Sequence, residues 1–112
     1  MSTAMEHLYD TIVAHRVREA EGSRTAKLFR DGMTKMAKKM AEEAVEVALD
    51  AVQGNREAVI RESADLLYNL SVLWVQADIR PQDIWAELRR REEMMGIAEK
   101  LPKSAAAVDN PA

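Results

Sequence analysis

The sequence predicts an all-α protein, an antiparallel bundle of about four helices. Three observations point there. Glycine is scarce, four in 112 residues, while alanine and methionine, both good helix formers, are plentiful. Apolar residues recur at helical spacing, and no segment alternates as a half-buried strand does. Aromatic residues make up only 4% of the chain, so Leu, Val, Ile, Met and Ala must build the core. A chain of 112 residues suffices for one domain with a modest core.

The first helix is expected over about 4–20, with Leu8, Ile12 and His15 on one face. "EGS" at 21–23 breaks it, and Ser23 or Thr25 is placed to cap a short turn, "TAKLFR". "DG" at 31–32 marks a loop. The second long helix runs over about 34–52 and stops at "QGN". Gly54 suits the left-handed position after a helix, and Asn55 suits the cap of the next. The third runs over about 56–77 with no proline or glycine inside. Pro81 fits the first turn of a fourth, with Asp83 near its positive end and Ile84, Trp85 and Leu88 on one side. The folded domain is expected over 1–96, and 97–112, rich in small and polar residues, as a flexible tail.

The third helix carries Leu66, Leu67, Tyr68, Leu70, Val72, Leu73, Trp74 and Val75 on all its sides. A helix apolar all round is buried all round. Few other helices are available to cover it, so a homodimer is expected.

Composition excludes several function classes. With no cysteine there is neither a disulfide nor a thiolate metal site. A net charge of −3 argues against a nucleic-acid partner. No apolar run approaches a membrane span of roughly 20 residues, and the N-terminal stretch lacks an apolar signal core. The expectation is a soluble cytoplasmic protein with no membrane partner. There is no GxxxxGK[ST] or GxGxxG phosphate cradle.

The chemistry-bearing signal is acidic. On the second helix Met36, Met40, Ala44, Val47, Ala48 and Ala51 form an apolar arc with Glu43 at its edge and Glu42, Glu46 and Asp50 beside it. On the third, Glu62 and Asp65 are three apart and Asn69 lies one turn further on. Glu46 is eight residues before Gly54, and Glu62 eight after it. An antiparallel hairpin closed at Gly54 therefore sets Glu43 and Glu46 level with Glu62 and Asp65. Converging carboxylates repel unless a counter-charge is supplied. Oxygen ligands without cysteine or histidine suit a hard divalent ion, Mg²⁺ first and Mn²⁺ next. A di-iron carboxylate bundle needs Glu-x-x-His pairs, and His7 and His15 lie elsewhere. The structural alternative is neutralisation across the helices by Arg56 and Arg61. A basic stretch, with Arg24, Lys27, Arg30, Lys35, Lys38 and Lys39, precedes the acidic helix. Lys39 lies one turn before Glu43, where a cation offsets carboxylate repulsion or holds a phosphate.

"TAKLF", "KKMAEEAVEV" and "ESADLLYNL", followed by "PQDIWAELRRR", resemble the phosphoribosyl-ATP pyrophosphatase family of histidine biosynthesis. That family belongs to the MazG-like all-α nucleotide pyrophosphohydrolases, and the likeness covers about 4–93. The resemblance implies Mg²⁺-dependent hydrolysis of phosphoribosyl-ATP to phosphoribosyl-AMP and pyrophosphate by a compact helical dimer. It implies metal ligands at Glu43, Glu46, Glu62 and Asp65. Glu42 and Glu43 compete for the role of general base. Lys27, Lys39 and Asn69 fall to substrate and phosphate binding. Where the family often has an aromatic, a glycine and a histidine, this chain has Arg24, Ala41 and Asn69. Asn69 is the residue MazG-like relatives often carry, which keeps a broader nucleotide pyrophosphohydrolase as an alternative. A non-catalytic helical binding module is the rival from another class.

Overall fold

A computed structural model of the chain describes residues 3–18 and 23–98. Among them are five α-helices and no strand: α1 (Ala4–Arg18), α2 (Arg24–Asp31), α3 (Met33–Val52), α4 (Arg56–Gln76) and α5 (Pro81–Ala98). The helix count departs from the expected four because "RTAKLFRD" is a complete eight-residue helix rather than a turn. Ser23 caps it, its hydroxyl accepting from the Ala26 N–H at 3.2 Å. Thr25, the other candidate cap, is buried instead. One face of α2, Thr25, Leu28 and Phe29 at i, i+3 and i+4, turns inward, and this packing holds so short a helix. The expected end of α1 at Ala20 lies outside the described residues, as does the tail beyond residue 98.

The chain divides into two units, residues 1–81 and 82–112. In the first, α3 and α4 pack antiparallel along their length, and α1 and α2 lie against them. The hairpin turn forms as its residues predict. Gly54 adopts φ 73°, a left-handed conformation that glycine enters without steric cost. Asn55 caps α4 through a 3.2 Å bond accepted from the Ala58 N–H. Gly32, at φ 90°, turns the chain sharply between α2 and α3. Thr3 and Glu6 close a capping box at the start of α1, with bonds of 2.9 and 3.1 Å.

The core of this unit joins Ile12, Leu28, Met36, Val72 and Val75, one or two residues from each of α1 to α4. Burying a side chain of this size stabilises by about 1.5–3 kcal/mol. Arg16 adds a tie between three helices. Its guanidinium lies 5.3 Å from the centre of the Phe29 ring and donates to the Val75 carbonyl at 3.4 Å, at the negative end of α4.

The third predicted helix, now α4, is not buried all round within one chain. Val72 and Val75 are buried, but Ile60 and Leu67 are 54% and 42% exposed. On α3, Val45, Leu49 and Val52 are also exposed, at i, i+4 and i+7 on the side away from Glu43. In the second unit, α5 half-buries Ile84 and Trp85 and exposes Leu88. Glu87 there accepts from Arg90 at 2.6 Å and Arg91 at 3.0 Å. Among the described residues, no helix is long and apolar enough to cross a membrane.

Candidate active site

The hairpin brings carboxylates from two helices together. Oxygens of Glu43 on α3 and of Glu62 and Asp65 on α4 all lie within 4.8 Å of one another. The cause is local: eight residues on each side of Gly54 bring the two acidic pairs to one height. Helical spacing of three then stacks Glu62 and Asp65 on the face that meets α3. Glu43 is only 8% exposed, and Glu62 and Asp65 are half-buried. Glu46 is exposed at the rim, close enough to exchange hydrogen bonds with Glu62 and Glu43.

The electrostatics of the group are unbalanced. Hydrogen bonding to Glu62 pushes the Glu46 carboxyl above its ordinary range, with repulsion from Glu62 and Asp50 adding to it. Hydrogen bonding to Glu43 does the same to Glu62, helped by burial and by the charges of Glu43 and Asp65. With the group ionised, nothing donates to Glu43 Oε2, a buried oxygen without a partner. Such an oxygen costs about 1–3 kcal/mol if it stays unsatisfied. Among the described residues, no ion pair reaches Glu43, Glu46, Glu62 or Asp65. Arg56 and Arg61, the arginines of the structural alternative, are exposed and make none. Among the described residues no basic side chain offsets this concentration of carboxylates. Oxygen donors alone, one of them buried and unpartnered, fit a hard divalent ion.

The other residues singled out in the sequence lie as follows. Glu42 is exposed and stands outside the three-carboxylate group. Lys39 is half-buried, one turn before Glu43. Lys27 is 65% exposed, and its Nζ sits 2.9 Å from Asp31 Oδ2, so its charge is engaged on α2. Asn69 is 1% exposed, and its Nδ2 donates to the Asp65 carbonyl at 2.8 Å. That amide nitrogen is committed to the main chain that carries Asp65.

One feature beside the site escapes sequence reasoning. Thr25 Oγ1 and the Tyr68 hydroxyl hydrogen-bond at 2.6 Å, and the Arg24 guanidinium lies 5.8 Å from the centre of the Tyr68 ring. These contacts fasten α2 to α4 one turn beyond Asp65. Forty-three residues separate Thr25 from Tyr68, and no local pattern links them.

Comparison with known proteins decides the family. Residues 5–92 match the sequence model of the family described as phosphoribosyl-ATP pyrophosphohydrolase. The chain belongs to that family. Phosphoribosyl-ATP pyrophosphatase 2 of Rhodopseudomonas palustris is 64% identical over 104 residues, 93% of this chain and 79% of the relative. The protein of the same name from Bradyrhizobium diazoefficiens is 61% identical, over 94% of this chain and 78% of its own length. Phosphoribosyl-ATP pyrophosphatase of Gluconobacter oxydans is 49% identical, over 86% and 72%.

Proposed function

We propose that this chain hydrolyses phosphoribosyl-ATP to phosphoribosyl-AMP and pyrophosphate, a step of histidine biosynthesis, with Mg²⁺ as its metal. Family membership supports the reaction. The observation that carries the site is a buried Glu43 with one oxygen unpartnered, grouped with two carboxylates from the neighbouring helix.

In this reading Glu43, Glu62 and Asp65 hold the ion and Glu46 completes the group from the rim. When bound, the ion supplies positive charge to phosphate oxygens and acidifies water. Glu42, exposed and outside the ligand group, takes the proton of the attacking water. The water oxygen bonds to the α-phosphorus, and the bond from that phosphorus to its bridging oxygen breaks. Pyrophosphate departs with the electron pair of the broken bond. Lys39, one turn from Glu43, offsets the charge that develops on it. Asn69 holds the Asp65 turn in place.

The protein works as a homodimer in this reading. Val45, Leu49 and Val52 on α3, with Ile60 and Leu67 on α4, are large apolar side chains in water. A second copy removes them from it.

The test is pyrophosphate release with Mg²⁺ from phosphoribosyl-ATP, run beside ATP and a panel of deoxynucleotides. Strong preference for phosphoribosyl-ATP is expected. Equal turnover of simple nucleotides moves the chain to the broader pyrophosphohydrolase reading. Asp65→Asn is expected to abolish release while the helical circular-dichroism spectrum stays unchanged. An Asp65→Asn protein that keeps wild-type turnover at low Mg²⁺ removes the metal assignment.

A further inference from the structure

The charged residues of α3 are ordered along its length. Lys35 and Lys39 stand one turn apart, and Glu43 and Glu46 follow in the next turns on neighbouring positions of the helix. Lys39 and Lys35 precede Glu43 by about 6 and 12 Å along the axis. Lys35 thus stands at the corner where α2 turns into α3 at Gly32.

Lys27, Arg30 and Lys35 stand with one anion, Asp31, at that corner. Asp31, the last residue of α2, pairs with Lys27 at 2.9 Å. Its carboxyl is held below the ordinary range by Lys27 first, and also by the charges of Lys35 and Arg30. Only Lys27 touches the carboxylate, and three cations beside one anion leave an excess of two positive charges. The first turn of α3 holds no acidic residue to reduce it. Arg30 and Lys35 are exposed, and neither has an ion-pair partner among the described residues. A chain of net charge −3 keeps this local excess two turns from its acidic group.

A phosphoribosyl-ATP molecule has more charge than one metal group covers. It carries phosphate on a triphosphate and on a phosphoribosyl group, so a site that engages only the scissile bond leaves a charged end in solvent. We propose that the α2–α3 corner, with Arg30 and Lys35 exposed beside the Lys27–Asp31 pair, is a second subsite that takes a terminal phosphate of the nucleotide remote from the bond being broken. The subsite rests on the reading of the reaction given above. The phosphate has two sources, the γ-phosphoryl end or the phosphoribosyl group. Arg30 presents a planar fork to it and Lys35 a point charge. Asp31 engages the Lys27 charge and limits the repulsion among the cations.

The double variant Arg30→Gln/Lys35→Gln tests this, because both side chains are exposed and the Lys27–Asp31 pair stays intact. Steady-state kinetics with phosphoribosyl-ATP and with ATP are run beside calorimetric binding of inorganic pyrophosphate and of ribose 5-phosphate. Thermal unfolding checks that the variant folds. The loss is expected in KM for phosphoribosyl-ATP, about tenfold, and not in kcat, as for losing charge-assisted contacts to a phosphate away from the reacting bond. If ATP suffers the same rise and pyrophosphate binding weakens, the γ-phosphoryl end is the occupant. If ATP is spared and ribose 5-phosphate binding weakens, the phosphoribosyl end is. Unchanged KM for both nucleotides with unchanged binding of both small ligands overturns the subsite. A wild-type chain that turns over neither nucleotide overturns the reaction instead, and the two binding measurements still decide the corner.

Discussion

Replacing Glu43 by glutamine should make the metal-free protein more stable and nearly blind to Mg²⁺. Glutamine keeps the shape of the side chain but removes one charge from a group whose oxygens lie within 4.8 Å of each other. At 4.8 Å, the widest separation within the group, and an effective dielectric constant of about 20, the repulsion between Glu43 and Asp65 is at least about 3.5 kcal/mol. Solvent reaches the half-buried Asp65 and screens this to about 1–2 kcal/mol. The amide also donates to its carboxylate neighbours, which relieves a site whose Oε2 now has no partner. The net expectation is a gain of about 2 kcal/mol without metal. At about 2.1 cal/mol/K of unfolding entropy per residue, 112 residues convert each kcal/mol into about 4 °C, so Tm rises by about 8 °C. Mg²⁺ should act in the opposite order. At one hundred times its Kd the ion stabilises the wild type by about 2.7 kcal/mol, about 11 °C here. The variant should gain under a third of that. Thermal unfolding followed by circular dichroism, in chelator and then in a Mg²⁺ titration, measures both. A metal-free variant that melts below the wild type, or one that follows Mg²⁺ equally, would falsify the account of Glu43.

The raised carboxyls fix the sign of the pH dependence. Hydrogen bonding to Glu62 raises Glu46, and hydrogen bonding to Glu43 raises Glu62. A carboxyl raised by folding contributes stability that is full below its ordinary value and lost as pH rises through the raised one. Metal-free protein should therefore gain stability as pH falls from neutrality toward the ordinary carboxylate value of 4.5, and saturating Mg²⁺ should remove that gain. Glu87 runs the other way. Arg90 first and Arg91 next hold it at about 2, so its contribution is present above 4.5 and is lost as pH falls through about 2. Melting curves across this range, with chelator and with metal, should show both slopes. Tyr68→Phe removes the 2.6 Å bond to Thr25 and strands a buried hydroxyl, at a cost of about 1–2 kcal/mol in urea unfolding. An unchanged midpoint would mean that α2 is held by its apolar face alone. Ser71→Ala removes a fully buried hydroxyl with no partner, so stability should hold or rise by about 1 kcal/mol. A loss above that would show that Ser71 has a partner in solution.

Much of the architecture is local and was therefore legible. Gly54 and Asn55 made the hairpin turn readable, because left-handed backbone and helix capping are properties of single residues. The turn then fixed the height of the acidic pairs, since a helix advances by a constant amount per residue. Helix α2 was less legible. Eight residues are too few to be stable alone, so whether "RTAKLFRD" coils or turns depends on the core that receives Leu28 and Phe29.

The sequence by itself determined the helical class, the α3–α4 hairpin, the family, and the carboxylates that meet across the hairpin. All of these rest on spacing and residue type. Tertiary packing set the burial and the partners of each residue. It buried Glu43 and left Glu42 outside, set Glu46 at the rim, tied Lys27 to Asp31, and turned the Asn69 amide onto the Asp65 carbonyl. It also joined Thr25 to Tyr68 across forty-three residues. The physical reason is that periodicity fixes the face of a helix a residue occupies. What that face meets depends on how neighbouring helices pack, and the pattern of one helix does not contain it.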